Sequence, residues 1–166
     1  MLAQKLYEGV EIGEEGQVGL ITYMRTDSVR VSSEAINEAR KYVEETFGKN
    51  YVPVKPNFFK NKKSAQDAHE AIRPASVSMT PDKVQSYLDK DLFALYTLIW
   101  KRFVASQMIN EKVEATVVNV KAGEYTFVAR GERILFDGFS RIYEEKSEEE
   151  EERKLLPEMR KGDKLK

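Results

Sequence analysis

The chain has 166 residues, 33% charged and 41% hydrophobic, with a formal net charge of −1. That is a globular composition rather than a disordered one, long enough for one core or two small ones. No apolar run approaches the ~20 residues of a membrane span, and the first residues are not a basic, apolar leader, so the expected location is cytoplasmic.

Zero cysteines exclude disulfides and thiolate metal sites. A single histidine excludes a histidine-based zinc site within the chain, which leaves carboxylates for any metal. The small net charge conceals a local asymmetry. Between Glu45 and Asp67 there is no acid, while Lys49, Lys55, Lys60, Lys62 and Lys63 supply five cations. Residues 144–152 hold seven glutamates against Lys146.

Residues 2–10 (LAQKLYEGV) predict the end of a helix, with Leu2, Leu6 and Val10 at helical spacing and Gly9 near its stop. So abrupt a start is expected of a piece of a longer protein. Gly13, Gly16 and Gly19 punctuate a loop into GLITYMRTDS (19–28), whose first half reads as a short strand. Strand alternation sets Ile21, Tyr23, Arg25 and Asp27 on one face, and leaves Leu20, Thr22, Met24 and Thr26 to pack.

A phenol, a guanidinium and a carboxylate at two-residue spacing do not make a core pattern. A free tyrosine, with a pKa of about 10, is a poor nucleophile at neutral pH, and a neighbouring cation favours the phenolate. Arg25 cannot serve as a base, but it can stabilise the phenolate and fork two N–H donors onto a phosphate. The pair therefore suits attack on a phosphodiester better than attack on a carbonyl. Asp27 is left to orient Arg25 or to accept a hydrogen bond. Most tyrosines in such strands only pack, and spacing alone does not separate the two readings.

Ser32 or Ser33 predicts the N-cap of a helix through about Phe47, with Ile36, Ala39, Val43 and Phe47 as its buried stripe and Gly48 as a left-handed stop. Its expected partner is the back of the Tyr23 strand. Residues 49–63 form a basic loop in which Phe58 and Phe59 interleave with lysines. This suits either a stacking surface for single-stranded nucleic acid or a solvated loop anchored to the core by its phenylalanines.

Residues 64–73 predict a short helix that ends before Pro74, with His69 and Arg73 on one face. Thr80-Pro81-Asp82 starts another short helix, and Asp89 or Asp91 caps a longer one to Met108 that carries Leu92, Leu95, Tyr96, Ile99, Trp100 and Phe103. From Lys112 the period becomes two: strands are expected over 112–121, 125–130 and 133–136, and a further strand from Leu155 after the acidic run.

ITYMRTDS (21–28), followed some forty residues later by AQDAHEAIRP (65–74), resembles the active-site signature of type IA DNA topoisomerases, bacterial topoisomerase I in particular. The resemblance runs over residues 1–138, with a weaker echo in LPEMRKGD (156–163). It implies an α+β fold: a helix-rich gate domain (1–109) bearing the tyrosine, antiparallel strands of an incomplete arch domain (110–143), and an acidic linker with the start of a further strand (144–166).

By resemblance, Tyr23 is the residue joined to the 5′ phosphate of a cut strand, with Arg25 and His69 completing the catalytic set. Asp27, Ser28, Arg73, Lys55, Lys60, Lys62 and Lys63 are the expected DNA contacts. The implied reaction cuts and reseals one strand and relaxes negative supercoils without ATP. Mg²⁺ and a general acid would come from a Toprim domain not contained in this sequence, so the chain alone is expected to be inactive. The expected partners are single-stranded or negatively supercoiled DNA and that Toprim domain. Two rivals stand beside this reading: a non-catalytic single-strand-binding module, and a tyrosine phosphotransferase or recombinase, for which more His and Arg around the phosphate would be expected.

Overall fold

The computed structural model describes residues 1–59, 69–143, 156–157, 159–160 and 162–164. The fold is α+β and divides into two compact units, Met1–Ile109 and Asn110–Lys166. Among the described residues the first unit holds helices α1 (Leu2–Glu8), α2 (Ser33–Phe47), α3 (Pro81–Val84) and α4 (Lys90–Ser106), and a small antiparallel pair, β1 (Val10–Glu11) with β2 (Gln17–Val18). The second holds a hairpin of β3 (Lys112–Ala122) and β4 (Tyr125–Phe136). No described helix is long and apolar enough to cross a membrane.

The two long helices begin where capping chemistry dictates. The Ser32 hydroxyl accepts from the Ala35 N–H at 3.2 Å, and the Asp89 carboxylate accepts from the N–H groups of Asp91 and Leu92 at 3.1 and 2.9 Å; both satisfy orphan donors of a first turn. α2 ends at Gly48, whose φ of 103° and ψ of 161° suit glycine without being the left-handed helical pair expected. Ile36, Ala39 and Val43 of α2 and Leu92, Tyr96, Trp100, Phe103 and Val104 of α4 are buried. α2 meets α4. Tyr42 and Trp100 mark that contact edge to face, with centroids 5.2 Å apart.

The segment 75–79 is bound to both helices. Glu38 of α2 accepts from the Ser76 hydroxyl at 2.6 Å and the Val77 N–H at 2.9 Å. Trp100 Nε1 of α4 donates to the Val77 carbonyl at 3.1 Å, and the Tyr96 hydroxyl donates to the Met79 carbonyl. The chain just before it pairs with the Tyr23 segment: Ile21 and Pro74 form an antiparallel bridge, flanked by Thr22 N–H to Arg73 O and Ala75 N–H to Leu20 O, each 2.9 Å.

Several expectations change. Val10 leaves the first helix for β1, and Gly9, at φ 122°, marks the exit. Residues 69–73 are not helical, because their backbone groups pair with the Tyr23 segment and with Arg30; the rest of the expected 64–73 helix lies outside the described residues. The strands expected at 125–130 and 133–136 are one strand, β4. It pairs with β3 throughout, and a register shift at Lys112/Val113 leaves Leu135 without an opposite number. Residues 156, 157, 159 and 160 form no strand, and Leu155 lies outside the described residues.

Tyr96 is fully buried, and burial, with Glu38 nearby as a second cause, pushes its phenol well above the ordinary tyrosine value. Tyr96→Phe removes the donor to the Met79 carbonyl and should lower stability by about 1–3 kcal/mol in urea denaturation at pH 7. A raised folded-state pKa means that the phenol's contribution is intact below about pH 10 and fades as pH rises beyond it. The gap between wild type and Tyr96→Phe should therefore narrow in strong alkali.

Candidate functional site

Tyr23 lies two residues beyond the Ile21–Pro74 bridge, where the chain is no longer paired as a strand. The alternation expected over 20–27 breaks at its start: Leu20 and Ile21 are both buried, because the bridge holds this part of the chain between the core and the 73–75 segment. From Tyr23 onward the chemistry-bearing side chains are exposed, with Tyr23 itself at 47%. Its contacts are with rings: Tyr7 of α1 edge to face at 5.3 Å between centroids, and His69 at 6.4 Å.

His69 joins the two signature words. Its Nδ1 lies 3.1 Å from Asp27 Oδ2, and its Nε2 lies 3.3 Å from Arg25 Nη1. A carboxylate only accepts and a guanidinium only donates, so this arrangement assigns the proton to Nδ1 and leaves Nε2 as the acceptor. Asp27, His69 and Arg25 thus form a chain of hydrogen bonds beside the Tyr23 ring. Arg25 meets the imidazole rather than the phenol that the sequence pattern suggested. Its other N–H donors remain for an anion, in a fork suited to phosphate.

The other expected residues are placed differently. Arg73 does not share a helix face with His69; its guanidinium donates to Glu70 at 2.8 Å and to the carbonyls of Pro74 and Ala75 at 3.0 and 3.5 Å. Ser28 is buried, and its hydroxyl accepts from the Arg30 N–H at 3.2 Å within the turn that ends the motif. Lys55 is exposed; Lys60, Lys62 and Lys63 lie outside the described residues.

Phe58 and Phe59 are 71% and 50% exposed, so they do not anchor their loop to the core. Asn57 does that. Its side-chain amide donates to the carbonyls of Ser106 and Met108 at 2.9 and 3.2 Å, and its own carbonyl accepts from Gln107 at 3.2 Å. Sequence reasoning passed over Asn57, Tyr7 and the Thr22 hydroxyl. Only Tyr7 offered a signal, as the aromatic exposed beside Leu6 on an otherwise polar helix face.

Among the described residues no group of three or more histidines and carboxylates is arranged to hold a metal ion. Asp27 is engaged with His69, so the described residues around Tyr23 do not fit Mg²⁺ as a resident ion.

A family model described as DNA topoisomerase matches residues 1–166. The DNA topoisomerase 1 of Rickettsia conorii is 48% identical over 170 residues, covering 99% of this chain and 22% of that protein. The DNA topoisomerase 1 of Xylella fastidiosa is 47% identical over 169 residues, covering 98% and 21%. The full-length topoisomerase I structure from Thermotoga maritima matches with a TM-score of 0.74 and 44% identity, over 89% of this chain and 23% of that one. The chain spans about a fifth of the length of these relatives.

Gly19 sets the approach of α1 to the Tyr23 segment. Leu20 N–H donates to Leu6 O at 2.7 Å, and a Cβ at position 19 would stand 2.8 Å from the Tyr7 carbonyl oxygen. Gly19→Ala should therefore cost about 1–3 kcal/mol of stability in urea denaturation. It should also shift the Tyr7 and Tyr23 ring resonances, through the displaced end of α1.

Proposed function

Because the chain belongs to the DNA topoisomerase family, we propose that it is the tyrosine-bearing segment of a type IA enzyme, which cuts and reseals one DNA strand and relaxes negative supercoils without ATP. The observation that carries this reading is the meeting of Arg25 and Asp27 with His69, across 44 and 42 residues of sequence, beside an exposed Tyr23.

In this reading the Tyr23 oxygen attacks a backbone phosphorus. The P–O3′ bond breaks, the phenolic proton is lost, and the departing 3′ oxygen takes up a proton. Arg25 steadies the charge that develops on the phosphate oxygens, and His69, through its bare Nε2, holds the guanidinium in place for that contact. Asp27 orients the imidazole. Lys55, with Lys60, Lys62 and Lys63, supplies the salt-sensitive backbone attraction, and Phe58 and Phe59 supply stacking faces for unpaired bases.

The donor for the 3′ oxygen and the Mg²⁺ belong, in this proposal, to a Toprim domain elsewhere in the protein, as does its action in the cytoplasm on single-stranded or negatively supercoiled DNA. The exposed Phe58 and Phe59 also favour a narrower second reading, in which this segment by itself is a single-strand-binding module.

General acid catalysis is worth about 10²–10⁴ in rate and one electrostatic stabiliser about 10²–10³, so lacking both costs roughly four to seven orders of magnitude. The isolated chain should bind single-stranded DNA weakly, the affinity falling steeply with salt. Denaturant trapping should yield no covalent adduct, with or without Mg²⁺. Adding the Toprim-bearing piece should restore adduct formation, and Tyr23→Phe should abolish it again. A 5′-phosphotyrosine adduct formed by the isolated chain would contradict the division of labour, and failure of the completed protein to cleave would leave the binding module as the better reading.

A further inference from the structure

We propose that Thr22 is a positioning residue for His69: its hydroxyl holds the imidazole in the place and tautomer that the Arg25–His69–Asp27 chain requires. For its consequence in catalysis this rests on the topoisomerase reading; for its structural content it does not.

Thr22 stands next to Tyr23 in sequence but faces the other signature word. Its Oγ1 donates to the Ala71 carbonyl at 2.8 Å and accepts from the Arg73 N–H at 3.0 Å, and its own N–H donates to the Arg73 carbonyl at 2.9 Å. One side chain therefore closes two backbone groups of the 71–73 segment. Ala71 is held from the other direction as well, because its N–H donates to the Arg30 carbonyl at 2.7 Å. The stretch 22–30 thus touches Ala71 at both ends, and the two residues it sends toward His69, Arg25 and Asp27, lie between those ends.

His69 is two residues from Ala71, so the path from the Thr22 hydroxyl to the imidazole is short: one hydrogen bond and then a stretch of backbone. A valine would keep the shape and the β-branched preference for extended backbone. It would leave the Ala71 carbonyl and the Arg73 N–H without the partner that Oγ1 supplies, in a half-buried place. The main-chain pairing at Ile21–Pro74 needs no hydroxyl and would persist. The bridge thus stands without the hydroxyl, and what the hydroxyl adds is the placement of the residues around Ala71.

The chain contains one histidine, so a ¹⁵N-labelled sample gives one imidazole to read. In the 166-residue chain without DNA, wild type and Thr22→Ser should show one fixed form, with Nδ1 protonated and Nε2 bare. Thr22→Val should show nitrogen shifts averaged between the two tautomers, while its circular dichroism stays that of wild type. Should Thr22→Val fail to fold, Thr22→Ala compared with Thr22→Ser isolates the hydroxyl, since both lack the methyl group.

In the full-length protein, adduct formation at saturating DNA should fall ~10²-fold in Thr22→Val, with single-strand affinity changed by less than about twofold, and Thr22→Ser should restore most of the rate. An imidazole that keeps its wild-type shifts in both Thr22→Val and Thr22→Ala, whatever their stability, overturns the proposal. So does a wild-type imidazole already averaged between tautomers. Absence of adduct in every full-length variant counts against the topoisomerase reading, and the imidazole spectra still decide the role of Thr22.

Discussion

The antiparallel bridge between Ile21 and Pro74 is the contact on which the rest of the first unit's function depends. Its two hydrogen bonds come from Thr22 N–H and Ala75 N–H, the residues flanking the bridged pair. The bridged pair itself exchanges none, so position 74 is one where the missing N–H of proline leaves nothing unpaired. Proline and pairing are thus compatible here, and the two signature words meet through backbone rather than through side chains alone. Behind the bridge, Glu38, Tyr96 and Trp100 tie residues 76–79 to α2 and α4. The helical core therefore positions the site through the short turn at residues 75–79.

What this backbone arrangement delivers is one imidazole between a carboxylate and a guanidinium. The order of the three groups matters chemically. With Asp27 on Nδ1, the ring presents its lone pair to Arg25, and the guanidinium is oriented while its remaining donors stay available. An orienting carboxylate, an imidazole and a fixed cation beside a half-exposed phenol make a coherent anion-handling site. No general acid with access to a leaving oxygen is apparent in that set, and no carboxylate cluster stands ready for a metal among the described residues. Under the topoisomerase proposal those groups come from a Toprim domain; the chain itself spans about a fifth of the length of its relatives.

Much of this was legible in the residues. Ser32 and Asp89 announced α2 and α4, because a cap is a local interaction between a side chain and the next few amides. The motif words located Tyr23, Arg25 and His69. What failed to show was long-range. Residues 69–73 have a helical spacing of apolar and charged positions, yet their backbone is claimed by Thr22 and Arg30 from more than forty residues away. Arg73 looked like a helix-face partner of His69 for the same reason, and its guanidinium donates to Glu70 and to the Pro74 carbonyl. β4 looked like two strands because Gly131 and its polar neighbours interrupt the alternation, but pairing with β3 carries the strand through. Asn57 left no sequence signal, since its partners are backbone carbonyls at the end of α4.

The meeting of the two signature words requires His69 to lie against Tyr23 in the free protein. With a single histidine in the chain, proton–proton Overhauser contacts from its ring are unambiguous. At 6.4 Å between centroids, cross-peaks between the imidazole and Tyr23 ring protons are expected without DNA, together with Tyr7–Tyr23 cross-peaks from the contact at 5.3 Å. An imidazole with solvent-like shifts and no cross-peak to the Tyr23 ring would contradict the account, because the two signature words would then not meet.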